Sequence, residues 1–496
     1  MGSRLCCLVL VVCGLLPAAQ VFAQSEDAFQ KFLKQRRSEY QQFRSERDQQ
    51  FHSFLKRQWK AFKSYAGEVE DPAPKPSAIP RAEEPEPRKA PEPVAVEPKA
   101  PPAREKPEPE PVRKAPPRPA PEEEPEPEAL QPEARQVSVR VFGRKLTAPV
   151  PDAWSELHLG QVSSRGVATF WKDFAQGPSA GPTVKALGKA SDRWNLGDWG
   201  YVRLVYALAD EAADGSAEAR LLTWALLLKS GYAVRTGIAH GEVVLLFRSR
   251  DHLFEVPYFR IDGHRYYVFD PDGDPASSGL RSYDGEFPGK VRPVAVAAQE
   301  PPSVGPGREG RDLKFKFHGK AYEVRVSVNP NLLAFQGSLP QLALKDYFEM
   351  RPPKGFSEDL HRQLQKEMAG MPPREAVDFL LAFVQKAFAY KRDQDQFGGE
   401  NYLFPTETVH YPYSDCEDRA VLFSWLVHDL LGYPVVGLDY PGHVATAVAL
   451  PKGGRGQYVK RDGHRYFVAD PTYVNAGVGM VMPRYRDTQP KVLPAW

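Results

Sequence analysis

Cys416, His443 and Asp470 are the residues of this chain whose types and order suit covalent chemistry. A thiolate can attack an acyl carbon, an imidazole can take and return the proton, and a carboxylate can hold the imidazole in one orientation. The three follow one another at intervals of 27 residues. Cys416 stands in Ser414-Asp415-Cys416-Glu417-Asp418-Arg419, which opens a helix expected to run to Leu431. The unpaired N–H groups and dipole of a helix start favour a thiolate and can bind an oxyanion. Asp415, Glu417 and Asp418 act the other way, because negative charge raises a thiol pKa. The imidazolium of His443 and the helix end have to outweigh them. His443 follows Gly442 at the start of an expected strand, Val444 to Leu450, and Asp470 ends a later strand just before Pro471. Tyr411, Tyr413 and Tyr440 are candidates for lining a substrate cleft, and Tyr413 also for the oxyanion hole, although such tyrosines more often only pack. No metal-ligand spacing and no glycine-rich phosphate loop is present, so neither metal nor cofactor is expected.

The elements that must position these groups begin with an export signal. Arg4, the apolar run Leu5 to Leu16 and Val21-Phe22-Ala23 read as a secretory signal peptide over 1–23, cleaved after Ala23. Three of the four cysteines, Cys6, Cys7 and Cys13, lie within it, leaving Cys416 as the one thiol of the mature chain. The expected location is the periplasm or the cell surface. The 65 basic and 63 acidic residues nearly balance, which gives no chain-wide field for nucleic acid.

Residues 24–68 form the next unit, with a helix expected over 25–65 that no Gly or Pro interrupts until its end. Its aromatics recur every eleven residues, as Phe29, Tyr40, Phe51 and Phe62, and again as Phe32, Phe43, Phe54 and Tyr65. Eleven residues complete three turns, so they share one stripe. Arg36 and Arg47 fall in that stripe. The helix is expected to pack on its own body or, coiled-coil fashion, on its copy. Ten basic against five acidic residues also suit docking on an anionic envelope surface. Residues 69–136 are a Pro/Glu-rich linker, expected to be disordered, with 21 of the 49 prolines between 72 and 132.

The remainder, 137–300 and 312–496, contains an internal repeat. Asp214, Ala219, Leu221, Trp224, Gly231, Tyr232 and Val234 recur 201 positions later as Asp415, Ala420, Leu422, Trp425, Gly432, Tyr433 and Val435. Asp262-Gly-His-Arg-Tyr recurs as Asp462-Gly-His-Arg-Tyr, a tight-hairpin signal in each place. Each half reads as a strand pair, then helices, then strands, which predicts an α+β fold in two tandem copies. What both copies keep serves the fold, and what one alone keeps is a candidate for function. Cys416 faces Gly215 and His443 faces Glu242, whereas Asp470 faces Asp270.

The residues Asp415-Cys416-Glu417-Asp418-Arg419-Ala420, Pro441-Gly442-His443-Val444 and Phe467-Val468-Ala469-Asp470-Pro471 resemble the transglutaminase-like branch of the papain-like superfamily. The likeness is clear over about 374–474, with a fainter copy across roughly 137–290. It implies two transglutaminase-like domains, the first degenerate and lacking Cys and His. It also implies an acyl-enzyme mechanism with Cys416 as nucleophile, His443 as base then acid, and Asp470 orienting the imidazole. The leading expectation is an exported cysteine protease or amidase acting on an envelope protein or a peptidoglycan peptide. The alternatives are a cross-linking transamidase with the same triad, and a non-catalytic envelope binding or scaffold protein.

Overall fold

The computed structural model describes residues 18–70, 75–83, 134–269, 271 and 279–494. Most of the export signal, most of the Pro/Glu-rich linker and Asp270 lie outside the described residues. Among the described residues no helix is long and apolar enough to cross a membrane.

The chain is a mixture of helices and curled antiparallel sheets. The first half opens on the hairpin Ala134–Val141 with Arg144–Pro151, and the second on Glu309–Phe317 with Lys320–Val328. Their turns put Phe142 and Gly143, then His318 and Gly319, at positive φ, as a two-residue hairpin with right-handed strand twist requires. Helices follow, ending in Ser216–Lys229 in the first half and Cys416–Leu431 in the second. Trp224 and Trp425 lie on these two helices, both buried.

Each helix is followed by a sheet. In the second half the strand order is Tyr458–Arg461, His464–Ala469, His443–Val448, Val435–Tyr440, Lys491–Pro494. In the first half the inner five run Tyr258–Ile261, His264–Phe269, Glu242–Arg248, Val234–Ala239, Arg281–Ser282, in the corresponding order. Asp262-Gly263 and Asp462-Gly463 turn between paired strands, with φ of 51 and 78° and of 50 and 78°.

The first sheet carries two further short strands, Lys60–Ala61 beside Arg281–Ser282 and Ser64–Tyr65 beside Tyr258–Ile261. They form its opposite edges but are separated by only two residues. A chain covers at most about 3.5 Å per residue, so the edges are brought to within roughly 10 Å and the sheet curls round on itself. The outer sides of Arg281–Ser282 and Tyr258–Ile261, otherwise open templates for pairing, are thereby covered.

These strands shorten the N-terminal helix, which spans Ala18–Leu55 and does not continue to 65. No residue in 56–65 forbids helix. What wins is tertiary pairing, with Lys60–Ala61 beside Arg281–Ser282 and the N–H of Phe62 donating to the Leu280 carbonyl at 3.0 Å, while the indole of Trp59 caps the Leu55 carbonyl locally at 2.9 Å. The stripe divides likewise. Phe51 is buried in the first half, with its ring 4.9 Å from Trp171, 5.1 Å from Phe287, 5.4 Å from Tyr283 and 5.8 Å from Trp224. Phe43, two turns earlier, is 58% exposed. The side chains of Phe29, Phe32 and Tyr40 lie outside the described residues. The expected linker, 69–136, also departs from expectation, because Glu70 accepts the Leu344 N–H, 75–83 is packed against the second half, and 134–136 belong to the strand Ala134–Val141.

Candidate active site

The helix Cys416–Leu431 starts where its sequence provides a cap. Asp415 precedes it in extended conformation, and its N–H donates to the carboxylate of Asp418, three residues on, at 3.1 Å. The other oxygen of Asp418 accepts the N–H of Leu403 at 2.9 Å. At the far end Gly432 adopts φ 66°, a left-handed cap that costs glycine little, and its N–H donates to the His428 carbonyl. Cys416 is therefore the first helical residue, as the sequence predicts.

Arg419 fixes this start against its surroundings. It is fully buried, and donates to Ser414 Oγ at 3.0 Å and to the carbonyls of Phe388 and Gln385 at 2.9 and 3.4 Å. Burial lowers its pKa to about 10. The side chain of Gln385 donates in turn to the Asp470 carbonyl at 2.9 Å and to the Ala476 carbonyl at 3.0 Å. Gln385 therefore links the cysteine helix to the turn that carries Asp470.

His443 and Asp470 are brought together by adjacent strands. His443 begins one strand, opposite Tyr440, and Asp470 follows the next, whose Ala469 pairs with Thr446. Asp470 Oδ2 lies 2.9 Å from His443 Nε2, and Oδ1 accepts the N–H groups of Thr472 at 2.9 Å and Tyr473 at 3.1 Å. Both oxygens are thus committed, which fixes the carboxylate. The remaining ring nitrogen, His443 Nδ1, is buried and has no partner among the described residues. The ring of Tyr485 stacks on His443 at 5.4 Å and 9°, and Tyr440 stacks on Tyr485 at 4.8 Å. The cysteine helix packs on the His443 strand. Cys416, His443 and Asp470 are all buried.

The electrostatics oppose a thiolate in this state. Burial pushes the Cys416 thiol well up, and the neighbouring Glu417 and Asp415 push it further. Its Sγ donates to Glu417 Oε2 at 3.0 Å. Burial also raises Glu417, Asp418 and Asp393 well above the usual carboxylate range. Burial first and the neighbouring acids second therefore prevail over the helix end here. Lys75 acts on the thiol as a cation, as does the buried Arg419, and its ammonium sits among Glu417 at 2.8 Å, Asp415 at 3.4 Å and Glu400.

Of the three tyrosines, Tyr440 belongs to the histidine's surroundings. Tyr411 packs its ring on Phe397 and His410, and Tyr413 is 38% exposed on a short strand parallel to Ala389–Tyr390. Sequence reasoning missed Lys75, Gln385, Glu400, Tyr402 and Tyr485, and gave no role to Arg419. It also missed that Asp393, Asp415 and Asp418 bring one carboxylate oxygen each to within 4.8 Å of one another, an oxygen donor set of the kind hard cations take. Asp393 lies too far along the chain for any linear motif to announce the group. In the first half Gly215 caps Ser216–Lys229, and Glu242 begins its strand as His443 does, with its side chain 73% exposed. The chain matches no family model and no curated protein.

Proposed function

We propose that the second half is a transglutaminase-like Cys-His-Asp acyl-transfer site, that the first half is a copy of the same fold without thiol and imidazole, and that the protein is an exported thiol hydrolase of peptide or amide bonds. The observation that carries this reading is His443, held through Nε2 by a doubly anchored Asp470 while Nδ1 stays buried and unpartnered beside the cysteine helix. A general base needs one ring nitrogen held and the other left for the proton it takes, which is how this reading uses His443.

In this reading His443 Nδ1 takes the Sγ proton as sulfur attacks the carbonyl carbon. The tetrahedral oxyanion faces the helix start, whose N–H groups are unpaired donors. Collapse breaks the carbon–nitrogen bond, and the imidazolium gives its proton to the departing amine. A thioester remains. Water, deprotonated by the same nitrogen, then attacks it, releasing the acid and restoring the thiol. A transamidase differs only in that an amine replaces water.

The test is labelling with a peptide electrophile and a labelled amine together. The expected result is an adduct at Cys416 that disappears in His443→Ala, with substrate cleavage and no amine incorporation. Adduct formation unaffected by His443→Ala sinks the triad, and amine incorporation selects the transamidase. The raised thiol of the closed state also fits a purely binding protein, and Cys416→Ala with undiminished function would select that second reading.

A further inference from the structure

Residues 75–83 cross the second half as a strap that bends at Ser77 and Ala78. The Tyr390 hydroxyl donates to the Pro76 carbonyl at 2.8 Å. Arg81 bridges to Val474 in parallel, flanked by Val474 N–H to the Pro80 carbonyl at 2.9 Å and Ala82 N–H to the Val474 carbonyl at 2.8 Å. The Asn475 side chain donates to the Ala82 carbonyl at 3.4 Å. This is how an extended peptide adds to exposed backbone, with main-chain hydrogen bonds for hold and a side-chain pocket for selection. The anchoring residues Val474 and Asn475 follow Asp470 within five positions.

The pocket is where Lys75 enters. Its side chain is 4% exposed and its ammonium meets Glu400, Asp415 and Glu417, with the Tyr402 ring 5.3 Å away. An ammonium is a compact charge with three donors, and here it meets three carboxylates. Asp415 keeps its Oδ1 buried and without a partner, so the cluster is not satisfied by its own residues. Buried carboxylates without a cation are costly. Asp415 and Glu417 flank Cys416, so whatever fills this pocket is placed beside the thiol. With the strap in place, Cys416 and His443 have no exposed surface.

We propose that Glu400, Asp415 and Glu417 form a specificity pocket for the ammonium of a lysine side chain on an extended polypeptide substrate, and that Lys75 of the chain's own strap fills it in the resting protein. The proposal deepens the acyl-transfer reading and rests on it for the word substrate. Lys75 acts as a pseudosubstrate contact. The strap must leave before a lysine-bearing substrate segment takes the same seat.

The test measures binding, which needs no thiol chemistry. The probes are fluorescent peptides of residues 72–83 carrying lysine, norleucine or arginine at position 75, read by anisotropy. They are titrated against wild-type full chain, Lys75→Gln, and a full chain lacking 75–83. The lysine peptide is expected to bind the two variants at least tenfold tighter than wild type, and at least tenfold tighter than the norleucine peptide. Arginine, a planar fork in a pocket fitted to a point charge, is expected to bind more weakly than lysine. Norleucine binding within twofold of lysine overturns the ammonium pocket. Wild type binding as tightly as the chain lacking 75–83 overturns self-occupation. Repeating the titration on Cys416→Ala separates the two readings: binding retained there while no electrophile adduct forms on the wild-type thiol removes the enzyme and keeps the pocket. An adduct dependent on His443 with no lysine preference removes the pocket and keeps the enzyme.

Discussion

Two helices, Ser216–Lys229 and Cys416–Leu431, each precede a sheet of corresponding strand order, yet their first turns differ in almost every charge. In the second half Asp415, Cys416, Glu417, Asp418 and Arg419 are all buried. At the repeat offset the first half has Asp214, Gly215, Ser216, Ala217 and Glu218. Arg419 binds carbonyls from within, whereas Glu218 stands in its place and accepts the N–H of Leu159 at 3.0 Å. The first half thus forms the helix and sheet without burying a run of ionisable side chains. Burying such groups is costly unless they are paired, and the first half shows that the helix and sheet form without them. Each half is also completed from outside: the first by Phe51 in its core and strands at its sheet edges, the second by Lys75 at its cysteine.

The largest expected effect tests the asymmetry directly. His443→Ala should slow acylation of Cys416 by about 100- to 10,000-fold, the range for loss of a general base. Glu242→Ala, the same strand position in the first half, should leave the rate unchanged. Stopped-flow labelling with a peptide electrophile measures both, and equal effects would dissolve the distinction between the halves. Next in size is Phe51→Ala. Removing a fully buried aromatic costs about 3–5 kcal/mol, and here the loss should fall on the first half. Hydrogen exchange of amides in 216–229 should accelerate while those in 416–431 stay protected.

What the sequence made legible is what local chemistry dictates. Asp262-Gly263 and Asp462-Gly463 could be read as turns because positive φ has few takers, and Gly432 as a helix end for the same reason. The order of Cys416, His443 and Asp470 was legible because the repeat singles out the first two. Lys75 was not, since nothing local separates it from Lys89 or Lys99 in the same proline-rich stretch. Its partners lie 325 and 340 residues away at Glu400 and Asp415. Two-residue strands such as Lys60–Ala61 carry no periodic signal, and pairing partners far along the chain decide them. Gln385 reads as one more residue of an amphipathic helix until its carbonyl acceptors at Asp470 and Ala476 are in view.

A third effect sharpens the comparison of first turns. Arg419→Met removes the donors of two buried carbonyls and should destabilise the second half by about 3 kcal/mol. Glu218→Gln keeps the acceptor for Leu159 and should cost less than about 1 kcal/mol. Urea midpoints of the two variants decide it, and equal shifts would mean that Arg419 has no special structural role.

The smallest expected effect is a difference in how the halves respond to pH. Burial raises Glu407 to about 8 and Asp346 to about 6 in the second half, and Glu70, whose carboxylate accepts the Leu344 N–H there, to about 7. The folded state holds these protons more tightly than the unfolded one. Their contribution is therefore complete below the ordinary carboxylate pKa of about 4 and is lost as pH rises through 6 to 8. In the first half burial lowers Lys229 to about 8 despite its ion pair with Asp48 at 2.7 Å. That contribution is complete above the ordinary lysine pKa of about 10.4 and is lost as pH falls through 8. Between pH 5 and 8 amides in 416–431 should lose protection by on the order of 1 kcal/mol or more, while those in 216–229 hold steady. Above pH 8 the first half should gain. Glu407→Gln should reduce the slope in the second half alone, because it removes one raised carboxyl while keeping an amide oxygen for the Phe404 N–H. The same slope in both helices would show that the buried acids do not act locally, and that the two halves unfold as one.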